Sequence, residues 1–172
     1  PKVLVAAPSS KVLGNMLGQT DILEYFKNKG YDVMHITSKF GAVINGKKVG
    51  REEFFQTLTS WGADDTRKFV IFHYSILSEG INVPGLTHTI LLRNLPIIEM
   101  AQTIGRVIRV HKDDRAAVAE GRIPAGAFHL YKKSEGIVTM PTGYKMGNAI
   151  ASRLQNVVNA IFIEGRPPLA FC

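Results

Sequence analysis

Residues 68–111 read KFVIFHYSILSEGINVPGLTHTILLRNLPIIEMAQTIGRVIRVH. Two apolar runs, FVIFH and TILL, flank a loop that carries Gly80, Pro84 and Gly85, and a third apolar pattern follows Pro96. A run without polar alternation is what a strand covered on both faces shows. Proline suits the first turn of a helix, and residues 98–110 keep helical periodicity behind it. Strand, loop, strand and helix in that order predict a parallel sheet with helices packed against it.

The same alternation extends in both directions. KVLVAA (2–7) and YDVMHIT (31–37) read as strands, and Asn15 to Asn28 reads as one helix with Met16, Ile22, Leu23 and Phe26 on its buried stripe. REEFFQTLTSW (51–61) is a helix, GAFHLYKK (126–133) a fifth strand, and the region from Gly147 to Glu164 a last helix. Lys112 to Pro124 reads as an exposed loop or short helix. The fold class is therefore α/β, a three-layer arrangement with helices on both faces of a parallel sheet. Ligands of such sheets bind at the carboxyl ends of the strands, which directs attention to the loops after Ala6, Thr37, Tyr74 and Asn94.

The chain has 172 residues, the size of about one domain. At 45% apolar and 20% charged it can build a core and is not a disordered composition. A formal charge of +7 favours a polyanionic partner without proving one. The single cysteine, Cys172, excludes a disulfide framework and a cysteine zinc site within one chain. That usage fits a reducing, intracellular setting, and a cytoplasmic location is expected. No metal site is expected from the five scattered histidines. Lys2 and VLVAAP do not make a charged leader followed by a long apolar stretch, and the longest apolar run is too short to span a bilayer. The chain opens directly on a strand-like segment without Met, as a piece of a longer polypeptide would.

One stretch imitates a phosphate-binding loop. GAVINGKK (41–48) nearly fits GxxxxGK[ST] and lies between a strand and a helix. Lys48 stands where the magnesium-binding hydroxyl belongs, and Asn45-Gly46 between β-formers is a hairpin signal. The hairpin is the expected reading, and no other glycine-rich loop in the chain fits a nucleotide cradle.

On a helix over 98–110, Gln102, Arg106 and Arg109 fall at i, i+4 and i+7, one stripe that also holds Gly105. Ile104, Val107 and Ile108 then face the sheet. Guanidinium forks suit phosphate oxygens. A solvated face paired with Glu99, Asp113 and Asp114 is the plainer alternative.

QxxGRxxR (102–109) resembles the last motif of superfamily 2 helicases and translocases. ILSEGINVPGLTHTILLRNLP (76–96) resembles the motif before it, most closely in the branch that includes restriction-enzyme translocation subunits and DNA-remodelling helicases. The likeness runs from Lys2 to about Lys133. It implies a RecA-like fold, with residues 1–172 as the single second (C-terminal) lobe of a longer helicase chain. It further implies ATP and Mg²⁺ held mainly by an N-terminal RecA-like lobe that is not in this sequence. Arg109 and Arg106 would be arginine fingers, Gln102 would orient phosphates or water, and Gly80 and Asn82 would approach the nucleotide and its ribose. The family often has Asp where Asn82 stands, and Glu79 replaces an Arg common in the DEAD-box branch. Nucleic acid, DNA rather than RNA, would cross the carboxyl-end loops at Ser9, Lys11, Ser38, Lys39 and Ser75, by phosphate contacts with little base reading. Each of these could equally cap a turn. Alone, the piece is expected to be monomeric and without ATPase activity. The alternative function is a non-enzymatic, basic nucleic-acid-binding α/β module.

Overall fold

The computed structural model of the chain describes residues 1–74, 83–141 and 146–161. Strand β1 (Lys2–Ala6) is followed by helices α1 (Ser10–Gln19) and α2 (Ile22–Asn28) and by β2 (Asp32–Thr37). A hairpin of β3 (Gly41–Ile44) and β4 (Lys47–Val49) leads into α3 (Arg51–Ala63) and β5 (Phe69–His73). Then come β6 (His88–Leu91), α4 (Ile97–Val107), α5 (Lys112–Ala119), a 3-10 turn (Phe128–Leu130), β7 (Ile137–Thr139) and α6 (Met146–Ile161).

The strands form a seven-stranded sheet in the order β4-β3-β2-β5-β1-β6-β7. The pairs β2–β5, β5–β1, β1–β6 and β6–β7 are parallel, and only the β2–β3–β4 edge is antiparallel. The fold is the expected α/β arrangement of RecA-like type. Alternation along the strands divides the core between the two faces. Val3, Val5, Val70 and Phe72 pack with Leu13 of α1 and with Ile22, Leu23 and Phe26 of α2. Leu4, Met34, Phe69 and Ile71 face the other way and meet Phe54 and Leu58 of α3. On the β6 side, Leu91 meets Met100 and Ile104 of α4 and Ile150 and Val157 of α6.

The hairpin reading of residues 41–48 holds. Asn45 and Gly46 both take positive φ, 49° and 85°, as a tight primed turn requires. The Asn45 amide oxygen accepts the Val33 N–H at 2.8 Å, and its amide nitrogen donates to Asp32 at 2.8 Å. No phosphate cradle exists there.

Three sequence expectations need correction. The helix expected from Asn15 to Asn28 is two helices, because Thr20 turns extended (φ −126°, ψ 163°) and α2 begins after Asp21. The strand expected at 126–133 is a 3-10 turn. Phe128 and Tyr131 stack edge-to-face three residues apart, with centroids 5.0 Å apart, and Gly126 donates its N–H to the Tyr131 hydroxyl. Side chains at i and i+3 meet on a three-residue turn, not on a strand. The strand on that edge is β7, which pairs with β6 from Ile137↔His88 to Thr139↔Ile90. Finally, α4 stops at Val107.

Candidate functional site

Because α4 ends at Val107, Gln102, Arg106 and Arg109 do not share one helical stripe. Gln102 is exposed on the helix, Arg106 is buried at 5%, and Arg109 is exposed beyond the helix end. Ile108 does not pack on the sheet as expected; it is 46% exposed, while Ile104 and Val107 are buried. Among the described residues, the acidic side chains near the motif have other partners. Glu99 pairs with Arg93 at 3.1 Å, Asp113 with Lys132 at 3.0 Å, and Asp114 accepts the N–H groups of Lys132 and Lys133.

Arg106 belongs to a buried cationic centre at the carboxyl end of β5. His73, the last residue of β5, is 4% exposed, and neither ring nitrogen has a hydrogen-bond partner among the described residues. Burial, with the nearby charges of Arg93 and Arg106, pushes its pKa down to about 3, so the ring is neutral. Arg93 lies with its guanidinium carbon 4.9 Å from the Tyr74 ring centroid and bonds to Glu99. Burial, and then the charge of Arg109, lowers the Arg106 pKa. A neutral His73 is what allows two guanidinium groups to share this space.

Arg109 lines a cleft with Gly62, Val83, Pro84, Gly85, Val110, His111 and Lys133. The cleft borders the residues that lead into β5 and β6. It therefore lies toward the amino ends of those strands, away from the carboxyl-end loops where sequence reasoning looked for the site. It brings together two segments distant in sequence: Val83–Gly85 lies within the first motif (76–96), and Arg109 ends the second (102–109), with Val110 and His111 just beyond it. Backbone approach is close here. A Cβ on Gly62 would lie 2.6 Å from the Pro84 carbonyl oxygen, and one on Gly85 2.6 Å from that of Gly62. The buried Lys2 amine bonds the Gly62 carbonyl from below.

On the rim, the ligand atoms of Asp65, His111 and Asp113 lie within 4.8 Å of one another. The Lys132 amine already bridges the two carboxylates at 2.6 and 3.0 Å, and His111 Nε2 contacts Asp65 at 2.9 Å. Lys132, then His111, holds the Asp65 carboxyl well below its ordinary range. The amine occupies the position a cation would need, so the cluster ties α5 to the end of α3.

Four of the expected nucleic-acid residues lie just after β1 and β2, at the carboxyl end. Ser9 caps α1, its hydroxyl accepting the Val12 N–H at 3.1 Å, and Lys11 is exposed one turn in. Ser38 and Lys39 are exposed on the turn after β2. Phe40 carries that turn onto α1, its ring 3.1 Å from where a Gly14 Cβ would stand. Ser9 and Lys11 follow β1 and Ser38 and Lys39 follow β2, so these four stand at the carboxyl ends of two parallel strands that flank β5. The structure also adds Phe40, which sequence reading passed over, 44% exposed with the Lys39 amine 5.4 Å from its ring centroid. Gly80, Asn82 and Ser75 lie outside the described residues. His73, Arg93 and Lys133 were missed as well. The one sequence cue was Arg93 at a strand end; the other two are recognised only by what they touch.

No protein-family model matches the chain, and no curated protein sequence matches it. Among solved structures, the chain is similar to an ATP-dependent Type ISP restriction-modification enzyme, LlaBIII, bound to DNA. The TM-score is 0.50 at 14% identity, over 92% of this chain and 10% of that one. The chain thus spans about a tenth of the length of that protein, and at this identity the likeness is one of fold. Among the described residues no helix is long and apolar enough to cross a membrane.

Proposed function

We propose that this chain is the second RecA-like lobe of an ATP-dependent helicase or translocase acting on DNA. The carrying observation is the cleft in which Val83–Gly85 and Arg109–His111 meet. Two motifs that resemble the closing pair of superfamily 2 enzymes are brought to one surface, with an exposed arginine between them. The fold shared with a DNA-bound, ATP-dependent enzyme supports the same reading.

In this reading ATP and Mg²⁺ are held mainly by a first lobe, which provides the phosphate loop and acidic ligands. The bound nucleotide supplies the phosphoryl group whose charge grows as the terminal bond breaks. Arg109 meets that charge from across the cleft, as an arginine finger does. Arg106, buried behind it, adds positive potential, and Gln102 on the exposed face of α4 orients phosphates or the attacking water. The motif resemblance gives Gly80 and Asn82 the role of approaching the nucleotide and its ribose. Ser9, Lys11, Ser38, Lys39 and Ser75 give the lobe its share of the DNA track, through phosphates rather than base edges. Closure and release of the two lobes drive movement along a strand.

The test is steady-state ATPase of the full-length protein with saturating DNA, paired with thermal melts. Arg109→Ala is expected to lower kcat by at least a hundredfold, with little change in KM for ATP and in Tm. Arg109→Lys is expected to recover little, because an ammonium cannot reproduce the planar fork. Wild-type hydrolysis by Arg109→Ala refutes the finger and leaves a basic DNA-binding module without catalysis.

A further inference from the structure

Arg109 sits on a non-helical segment, where the path of the backbone sets the direction in which the side chain leaves. The group that fixes this path comes from elsewhere in the chain. The Lys133 amine bonds the carbonyl of Val107, the last residue of α4, and that of Arg109 at 2.8 Å. Lys133 is itself held. Buried Asp114 of α5 accepts the Lys132 N–H at 2.8 Å and the Lys133 N–H at 3.1 Å. Gly136 lies against the same turn, where a Cβ would come within 2.6 Å of the Val107 carbonyl oxygen. One ammonium therefore spans the end of α4 and the segment beyond it, where the helix carbonyls lack partners and carry partial negative charge.

We propose that Lys133 is the positioning residue for Arg109, its amine clamping the Val107 and Arg109 carbonyls so that the guanidinium is presented to the cleft. This rests on the reading of Arg109 as the finger. Catalysis is sensitive to displacements of about 1 Å at a reacting group, so a loosened clamp costs turnover more than nucleotide binding. Burial pulls the Lys133 pKa down to about 8, so the clamp loses its charge in moderate alkali. The charged and titratable groups sharing the cleft are Asp65, Arg109, His111, Lys112 and Arg115, with Asp114 behind.

The experiment is steady-state ATPase of the full-length protein with DNA, for Lys133→Met, Lys133→Arg, Arg109→Ala and the double variant Lys133→Met/Arg109→Ala. Lys133→Met is expected to lower kcat at least tenfold with KM for ATP within threefold, and Lys133→Arg to restore part of it. The double variant is expected to be no slower than Arg109→Ala alone, since a positioning residue has nothing left to position. Normal kcat in Lys133→Met, beside a loss in Arg109→Ala, overturns the clamp and leaves the finger standing. A further multiplicative loss in the double variant also overturns it. Normal kcat in Arg109→Ala removes the finger, and the clamp with it. Should Lys133→Met fail to fold, the pH profile decides. Wild-type kcat should fall above pH about 8 while Lys133→Arg stays level, and parallel profiles overturn the proposal.

Discussion

His73 gives the sharpest measurable consequence of the buried centre. Its ring is held neutral by burial and by the charges of Arg93 and Arg106, with a folded pKa of about 3 against 6.5 for an ordinary histidine. Wherever the unfolded ring is charged, folding must release its proton. The stabilisation is therefore complete above pH 6.5 and is lost as pH falls toward 3. Between pH 7 and pH 5 the unfolded ring becomes almost fully charged while the folded ring does not. At about 1.4 kcal/mol per pH unit, this one group removes about 2 kcal/mol.

The perturbation is His73→Leu, which fills similar space and removes two buried nitrogens that lack partners among the described residues. Deleting unsatisfied polar atoms costs little, so stability at pH 7 should stay within about 1 kcal/mol of wild type. Urea unfolding of both proteins at pH 7 and pH 5 gives the comparison. Wild type should lose about 2 kcal/mol more than the variant over that interval. His35 and His88 are also held low by burial, but they titrate equally in both proteins and cancel. Parallel pH dependences would show that His73 charges freely in the fold, and that the two arginines do not crowd it.

Two further outcomes test the sheet edge and the carboxyl-end loops. Asn45→Val should cost about 2–3 kcal/mol in urea unfolding, from a β-branched residue at positive φ and a lost bond to Val33, whereas Lys47→Ala should leave ATPase of the full-length protein unchanged. DNA binding should be weak and salt-dependent, and fluorescence anisotropy of Lys11→Ala and Lys39→Ala should show the slope of log affinity against log salt reduced by about 1 per lysine. An unchanged slope removes these residues from the track.

The fold was legible because its strands are covered on both faces. FVIFH and KVLVA are continuous apolar runs, and the structure buries every residue in both. Asn45-Gly46 was equally plain, since few dipeptides accept two positive φ values. The last helix was legible too, expected from Gly147 and found as Met146–Ile161, but the stretch between residues 121 and 139 was not. GAFHLYKK has the aromatic content of a strand, but Phe128 and Tyr131 pair three residues apart, and β7 is only three residues long. A three-residue strand of which two residues are exposed leaves little pattern to read.

The site was half legible for a different reason. The motif places arginines at 106 and 109, and helical spacing extended through both puts them on one face. The helix stops between them without a Gly or Pro to announce it. Its stop comes from outside, through the Lys133 amine on the Val107 carbonyl and the approach of Gly136. Those residues lie 26 and 29 positions downstream of Val107, beyond the reach of any local signal. The consequence is chemical. Two identical side chains three residues apart enter opposite environments, Arg106 buried beside a neutral histidine and Arg109 exposed in a cleft. Arg106→Ala should therefore disturb stability, by emptying a buried site, whereas Arg109→Ala should disturb turnover. Equal effects of the two substitutions on Tm would show that the end of α4 does not separate them.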